Sequence, residues 1–333
     1  MKAVLSDRYG SPDVLEIAQV PDPVPGEGEV LIRVHMGTVT RSDCGMLRGH
    51  PFFARLVTGL IHPKITILGL DLAGTVEKTG PGVTRFQPGQ RVFGLSPERY
   101  GAHAELLCLP ETAPVALIPE GIRLEEAVLC EGAWYANTNL AAFDLKPGQK
   151  ILIYGGSGAI GSAAVQLAKF YGGEVTAVVG PQHLELAAAL GADHVIDYTA
   201  GDFTRTEERF DFVFDAVGKA PFFRCRKLLK PDGVYAATDL GPWGQNVIMP
   251  LLHRRRRRGR RAIFPFPVAS PPVVSFIKAR LEAGDLRGVF DRTYPLEDIA
   301  EAYRYVETAQ KTGIVRLAIS SGVADGRQPL RAP

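Results

Sequence analysis

A run of strand-forming residues, Lys150-Ile151-Leu152-Ile153-Tyr154, leads directly into Gly155-Gly156-Ser157-Gly158-Ala159-Ile160-Gly161, and then into the helix-forming run Ser162 to Lys169. A buried strand, a glycine-rich turn and an amphipathic helix in that order form the unit that grips a dinucleotide pyrophosphate. Gly156 permits the tight turn, Gly158 lets the backbone approach phosphate oxygens, and Gly161 lets helix and strand pack closely. The helix N-terminus contributes unpaired N–H groups and partial positive charge. Gly156, Ser157, Gly158, Ala159, Ile160 and Gly161 are therefore the first candidate cofactor-binding residues.

The pattern around this unit divides the chain. Up to about residue 122, short β-branched runs such as Glu29-Val30-Leu31-Ile32-Arg33-Val34 and Gly89-Gln90-Arg91-Val92-Phe93-Gly94 alternate with Gly and Pro, which predicts a β-rich, barrel-like domain. From Leu124 the texture changes. A helical stretch leads to strand Ile151–Tyr154, helix Ser162–Phe170, strand Glu174–Val179 and helix Leu184–Leu190. Strands His194–Ile196 and Phe212–Phe214 follow, then a helix near Phe222–Leu229 and strand Gly233–Ala237. Strands alternating with helices across short connections call for a doubly wound parallel sheet. Pro295–Val306 then has helical apolar spacing, and Gly313–Ile319 reads as a closing strand. The expected division is a barrel-like part over 1–122, a dinucleotide-binding domain over 123–265, a return to the first domain over 266–320, and a frayed tail over 321–333.

Composition narrows the class. With 333 residues, 46% hydrophobic and 22% charged, the chain is ordinary for a globular protein of about two domains. Its apolar runs are strand-sized, which argues against membrane insertion, and its start lacks a signal-peptide pattern, so a cytoplasmic location is expected. Cys44, Cys108, Cys130 and Cys225 show no CxxC spacing, which argues against a disulfide framework or a zinc ribbon. A net charge of +2 gives no global pull toward nucleic acid. One local exception is the run Arg254 to Arg258 with Arg260 and Arg261, which reads either as a solvated hairpin or as a site for nucleic acid or an anionic surface. It lacks interleaved aromatics, which weighs against nucleic acid.

Several further motifs stand in order: Lys2-Ala3-Val4, Gly69-Leu70-Asp71-Leu72-Ala73-Gly74, Gly101-Ala102-His103-Ala104-Glu105, Leu190-Gly191-Ala192-Asp193, Phe214-Asp215-Ala216-Val217-Gly218 and Lys311-Thr312-Gly313. With the glycine turn, they make the chain resemble the medium-chain dehydrogenase/reductase superfamily, in particular its zinc-free quinone oxidoreductase-like branch, from Met1 to about Ser320. The resemblance implies an α/β fold: a Rossmann domain, with its doubly wound parallel sheet, plus a chaperonin-10-like barrel domain. It implies a reductase passing hydride from NADPH or NADH to a quinone or enone, and a homodimer joined near strand Gly233–Thr238. Reduction of an enoyl or alkenal double bond is the alternative.

The zinc-dependent members of that superfamily hold their metal at positions that look equivalent to Thr40, Leu70-Asp71 and Cys130. Only Cys130 is a soft ligand, and a tetrahedral catalytic site needs about three protein ligands, so no metal site is expected. Carbonyl polarisation then falls to hydrogen-bond donors, which suits activated acceptors. Cys130 itself reads as a small buried hydrophobe or as a reactive thiol.

The strand Glu174–Val179 runs into Gly180-Pro181-Gln182-His183, with no acid before Glu185. An acid here would accept from the ribose 2′-hydroxyl and repel a 2′-phosphate, so its absence favours NADPH. By resemblance, His183 and Tyr198 stand where members using NADPH place phosphate-binding residues, and Lys311 joins the cofactor candidates. In Thr38-Val39-Thr40-Arg41-Ser42-Asp43, which resembles the family's Asn-Pro-x-Asp stretch, Thr40 and Asp43 are catalytic candidates together with Asp71. Asp43 and Asp71 could equally accept from backbone N–H groups. His50 and Tyr135 are further proton-donor candidates, each with an ordinary packing role as its alternative. Phe264-Pro265-Phe266-Pro267 reads as a cleft wall or as a strand leading into a loop.

Overall fold

The computed structural model describes residues 1–241, 244–253 and 259–320. Arg254–Arg258 of the arginine run and the expected tail over 321–333 lie outside the described residues. The chain divides into two compact units, one of Met1–Glu131, Ala269–Glu282 and the chain from Gly288, the other of Gly132–Val268 and Ala283–Arg287.

In the first unit, β1 (Lys2–Leu5) and β2 (Glu16–Gln19) form an antiparallel pair. The larger sheet is built on the long strand β3 (Glu29–Val39), with β4 (Asp71–Thr79), β5 (Arg91–Leu95), β6 (Leu106–Pro110) and β7 (Val115–Leu117). In the second unit, β8 (Lys150–Tyr154), β9 (Glu174–Val179), β10 (His194–Asp197), β11 (Phe210–Asp215), β12 (Leu229–Ala237) and β13 (Arg261–Ile263) form a sheet. The chain then returns to the first unit with β14 (Phe290–Pro295) and β15 (Ile314–Ala318).

β3 pairs antiparallel with β4, β6 and β15, and β14 adds to β15 in parallel, so the order is β14-β15-β3-β4-β5-β7 with β6 also on β3. Strand β3 is buried through most of its length because it has neighbours on both edges and the core on its inner face. That core gathers Val34, Leu72, Val92 and Val315 with Ile299, Tyr303 and Val306 of the helix Ile299–Glu307. Burial of such side chains is the main force closing this unit.

The second sheet is parallel throughout, in the order β10-β9-β8-β11-β12-β13. The order reverses at β8, where the next strand in sequence lies on one side and β11 on the other. That is the topological switch point, where open α/β sheets bind ligands beyond the carboxyl ends of their strands. Leu152, Val178, Val213 and Tyr235 supply part of its core.

Most expected elements are present with shifted ends. The helix after the glycine turn starts at Ala159, not Ser162, because Gly158 takes the N-cap position and the first turn is made of Ala159, Ile160 and Gly161. The expected helix Phe222–Leu229 is a short helix, Phe222–Cys225, followed by a 3₁₀ turn, Arg226–Leu228, and Leu229 already belongs to β12. Pro295 closes β14 instead of opening a helix; the helix proper is Ile299–Glu307, preceded by a 3₁₀ turn at Leu296–Asp298. Phe264-Pro265-Phe266-Pro267 follows β13 as irregular chain with Phe266 exposed, the strand-into-loop alternative.

Candidate active site

The glycine turn follows β8, with the Gly155 and Gly156 N–H groups both donating to the Val178 carbonyl. Gly155 has a φ of +85°, and a Cβ there would come within 2.1 Å of the Val217 side chain, so the position demands glycine twice over. At Gly161 a Cβ would lie 2.0 Å from the Gly155 carbonyl oxygen, which lets the helix Ala159–Phe170 press against the turn. Gly158 differs. Its φ is −79° and the nearest atom to a Cβ would be the Gly155 oxygen at 3.6 Å, so the space over it is open. No side chain caps this helix. The turn is thus a cradle that a side chain at Gly158 would fill, with first-turn N–H groups beside it, and it fits a pyrophosphate. Val217 is held by Asp215, which is buried and accepts from the N–H groups of Val217, Gly218 and Ala220 at 3.0, 2.8 and 2.6 Å.

After β9, the residues 180–183 form a short turn in which a Cβ on Gly180 would meet the Gln182 amide at 2.9 Å and the Tyr198 hydroxyl at 3.3 Å. Tyr198 is brought here by its N–H bond to the Val179 carbonyl at 3.1 Å. His183 is half-buried at the end of the same turn. Asp197, the nearby carboxylate on β10, accepts from the N–H and hydroxyl of Thr199, both at 2.8 Å. Tyr198 and Gln182 therefore meet at Gly180, where sequence alone pointed to His183 and Tyr198.

In the first unit the structure gathers Thr40, Asp43, Asp71 and Lys311. Thr40 caps the helix Arg41–Arg48: its hydroxyl accepts from the Asp43 N–H and donates to Asp43 Oδ2 at 2.7 Å, while the Thr40 N–H donates back to the same oxygen. Asp43 Oδ1 accepts from the Gly69 N–H at 3.2 Å. Burial raises the Asp43 carboxyl to about 6 against these bonds. Asp71 Oδ2 accepts from the Glu131 N–H at 3.1 Å, and Asp71 Oδ1 is buried without a hydrogen-bond partner. Both aspartates thus carry the backbone bonds of their structural alternative.

Glu131 is the residue that the sequence reading passed over. Its carboxyl is buried and is raised to about 7 by burial and then by the negative charge of Asp43, against the Ser42 and Thr40 hydroxyls, which lower it. Lys311 acts on it as a counter-charge and donates to the Gly313 carbonyl, although its own burial lowers its pKa. A glutamate in an otherwise apolar run was the one available signal. His50 is exposed and Tyr135 half-buried.

Residues 26–120 match the alcohol dehydrogenase GroES-like domain, and residues 190–315 match the family described as zinc-binding dehydrogenase. The NADPH-dependent alkenal/one oxidoreductase of Arabidopsis thaliana chloroplasts is 30% identical, over 95% of this chain and 78% of its own. The 2-methylene-furan-3-one reductase of Solanum lycopersicum is also 30% identical, with the same 95% and 78% coverage. The structure of the quinone oxidoreductase from Coxiella burnetii superposes with a TM-score of 0.85 at 25% identity, covering 96% of this chain and 99% of that one.

The zinc of that family description does not fit the donors present. Cys130 is fully buried, with its thiol pushed well up by burial and then by the negative charge of Asp71, and its partners at the equivalent positions would be Thr40 and Leu70-Asp71. Among the described residues no three His, Cys, Asp or Glu side chains converge to hold a metal. Two-domain coverage and 30% identity across nearly the whole chain decide the family: the chain belongs to the medium-chain dehydrogenase/reductase superfamily, in its quinone oxidoreductase-like branch.

Proposed function

We propose that the protein is an NADPH-dependent, zinc-independent reductase of quinones or other activated carbonyls and enones. The observation that carries this reading is the open position over Gly158 beside the tightly closed Gly155–Gly161 contact, the shape a pyrophosphate cradle requires. When bound there, the reduced nicotinamide supplies a hydride. The chain's own part is to bind and orient. The first-turn N–H groups hold the diphosphate, Val217 closes the turn, and Gln182 and Tyr198 offer neutral donors beside Gly180, where a carboxylate would reject a 2′-phosphate. His183 and Lys311 complete the proposed cofactor contacts.

Thr40 is the proposed donor to the acceptor's oxygen, with Asp43 and Asp71 as residues that fix it and Glu131 in place. Thr40, Leu70-Asp71 and Cys130 are a poor donor set for a zinc that would polarise a carbonyl, which favours acceptors that are already electrophilic. The names of the two plant relatives support the enone side of this reading, and an alkenal double bond is the specific alternative. No helix among the described residues is long and apolar enough to cross a membrane. Loss of reduced-nicotinamide absorbance with a panel of quinones, enones and alkenals tests the proposal. Turnover with none of them, or a stoichiometric zinc content in active protein, would overturn it.

A further inference from the structure

We propose that the segment from Phe52 to Ile61 is a docking surface for an anionic lipid bilayer. Phe52, Phe53, Leu56, Leu60 and Ile61 are each between 60% and 76% exposed, five large apolar side chains within ten residues. Single exposed apolar residues are ordinary, but a cluster of this density marks an interaction site.

The segment is built, not loose. A 3₁₀ turn, Phe52–Ala54, runs into the short helix Arg55–Thr58, and polar bonds fix its base. The Tyr9 hydroxyl donates to the Gly59 carbonyl at 2.7 Å and lies 2.9 Å from the Thr58 hydroxyl. Arg55 donates to the Gly49 and Arg48 carbonyls at 3.2 and 3.0 Å and lies over the Tyr9 ring at 4.3 Å. The Lys64 N–H donates to the Thr58 carbonyl at 2.8 Å. These bonds engage backbone, Thr58 and Arg55, while the five apolar side chains stay largely exposed.

The charge around the segment selects the partner. Residues 44–70 contain Arg48, Arg55 and Lys64 and no carboxylate at all. Arg48 is paired with Glu307, whereas among the described residues Arg55 meets carbonyl oxygens and the Tyr9 and Phe52 rings and forms no ion pair with a carboxylate. Aromatic and aliphatic side chains fringed by cations are the composition that seats a surface element at the headgroup level of an anionic bilayer. A second copy docked through the same patch would set cations against cations across a two-fold contact, which disfavours self-association there. The proposal stands whether or not the reductase reading holds.

Flotation of the full chain with vesicles of phosphatidylglycerol and phosphatidylcholine, against phosphatidylcholine alone, tests this. We expect binding to the anionic vesicles that weakens with salt, and about tenfold weaker binding in the combined variant F52S/F53S/L56S. A second variant, R254S/R256S/R258S, is expected to bind within about twofold of the parent. Circular dichroism and a thermal midpoint check that each variant is folded, and the single substitution Ile61→Ser, with a smaller expected loss, serves if the triple variant is not. Absence of binding by the parent chain overturns the proposal. So does parent-like binding by a folded Phe52/Phe53/Leu56 or Ile61 variant, or loss of binding through the arginine variant alone. A change of oligomeric size or of acceptor affinity in the apolar variant, with lipid binding intact, overturns it in favour of a second copy or a hydrophobic substrate.

Discussion

The Cα of Gly161 sits against the carbonyl of Gly155, so that a Cβ on Gly161 would stand 2.0 Å from that oxygen, while Gly158, between them in sequence, has no such neighbour. The two glycines therefore do different work: one closes helix against turn, the other leaves room above it. Gly161→Ala is expected to cost stability on the order of 2–3 kcal/mol, as an overpacked core position does, and to lower the thermal midpoint. Gly158→Ala is expected to keep the midpoint and weaken NADPH binding by about tenfold or more, because the methyl occupies the approach of the diphosphate. Calorimetric titration beside thermal unfolding separates the two. Equal binding by Gly158→Ala and the parent would remove the cradle.

Thr40 and Asp43 form a capping box as much as a candidate catalytic pair. Asp43 accepts from two N–H groups and one hydroxyl, and removing it strands them. Asp43→Ala is expected to lose about 2–4 kcal/mol in denaturant unfolding, whereas Thr40→Ala loses about 1 kcal/mol. If Thr40 also donates to the acceptor, its variant loses turnover at full occupancy out of proportion to that small stability loss. Parent-like kcat in Thr40→Ala would leave it a cap alone.

Much of the dinucleotide unit was legible because its signals are local. Strand β9 has the expected ends because Val175, Thr176, Val178 and Val179 are β-branched and Gly180 and Pro181 end the run. Strand β12 starts four residues earlier than expected, at Leu229, since Pro231 and Asp232 look like a turn but lie in a strand whose start still pairs Leu229 with Phe210. The helix Arg41–Arg48 is short and polar, and its capping residues read as chemistry. The helix Pro271–Ala283 was missed because two prolines at its start suggest a loop, although proline suits the first helical turn. Glu131 was passed over for another reason. Nothing in one sequence shows that residues 42, 71, 131 and 311 meet, since β-pairing between distant segments brings them together.

The proposed preference for NADPH rests on what surrounds Gly180. A Cβ there would meet the ends of Gln182 and Tyr198, which can move, and the backbone φ is −77°, so a side chain fits without strain. Gly180→Asp would place a carboxylate near the ribose, accept from a 2′-hydroxyl and repel a 2′-phosphate. The expected outcome is at least about a tenfold swing in relative affinity from NADPH to NADH, read by fluorescence titration of both coenzymes. Parent-like preference in the variant would place the 2′-phosphate elsewhere.

The Glu131 carboxyl ties stability to pH with a definite sign. The Ser42 and Thr40 hydroxyls favour the charged form of the Glu131 carboxyl, and burial outweighs them. Burial first, and the negative charge of Asp43 next, raise it to about 7. Between the ordinary carboxylate range and about 7 the folded chain holds this proton and the unfolded chain does not, so the contribution is fully favourable at low pH and is lost as pH rises through that window. His103 works in the opposite direction. It donates from Nε2 to the Thr38 carbonyl and lies 3.4 Å from the Tyr303 hydroxyl through Nδ1, and burial lowers it to about 4, so its contribution is lost as pH falls toward that value. Glu131→Gln keeps the shape and removes only the titration. Its unfolding free energy is expected to match the parent below about pH 4 and exceed it above pH 7 by on the order of 2–3 kcal/mol, measured by urea unfolding across pH. A carboxylic-acid carbonyl stretch that persists in the parent near neutral pH and vanishes in the variant would report the same proton directly; parallel stability curves for the two proteins would place it on another group.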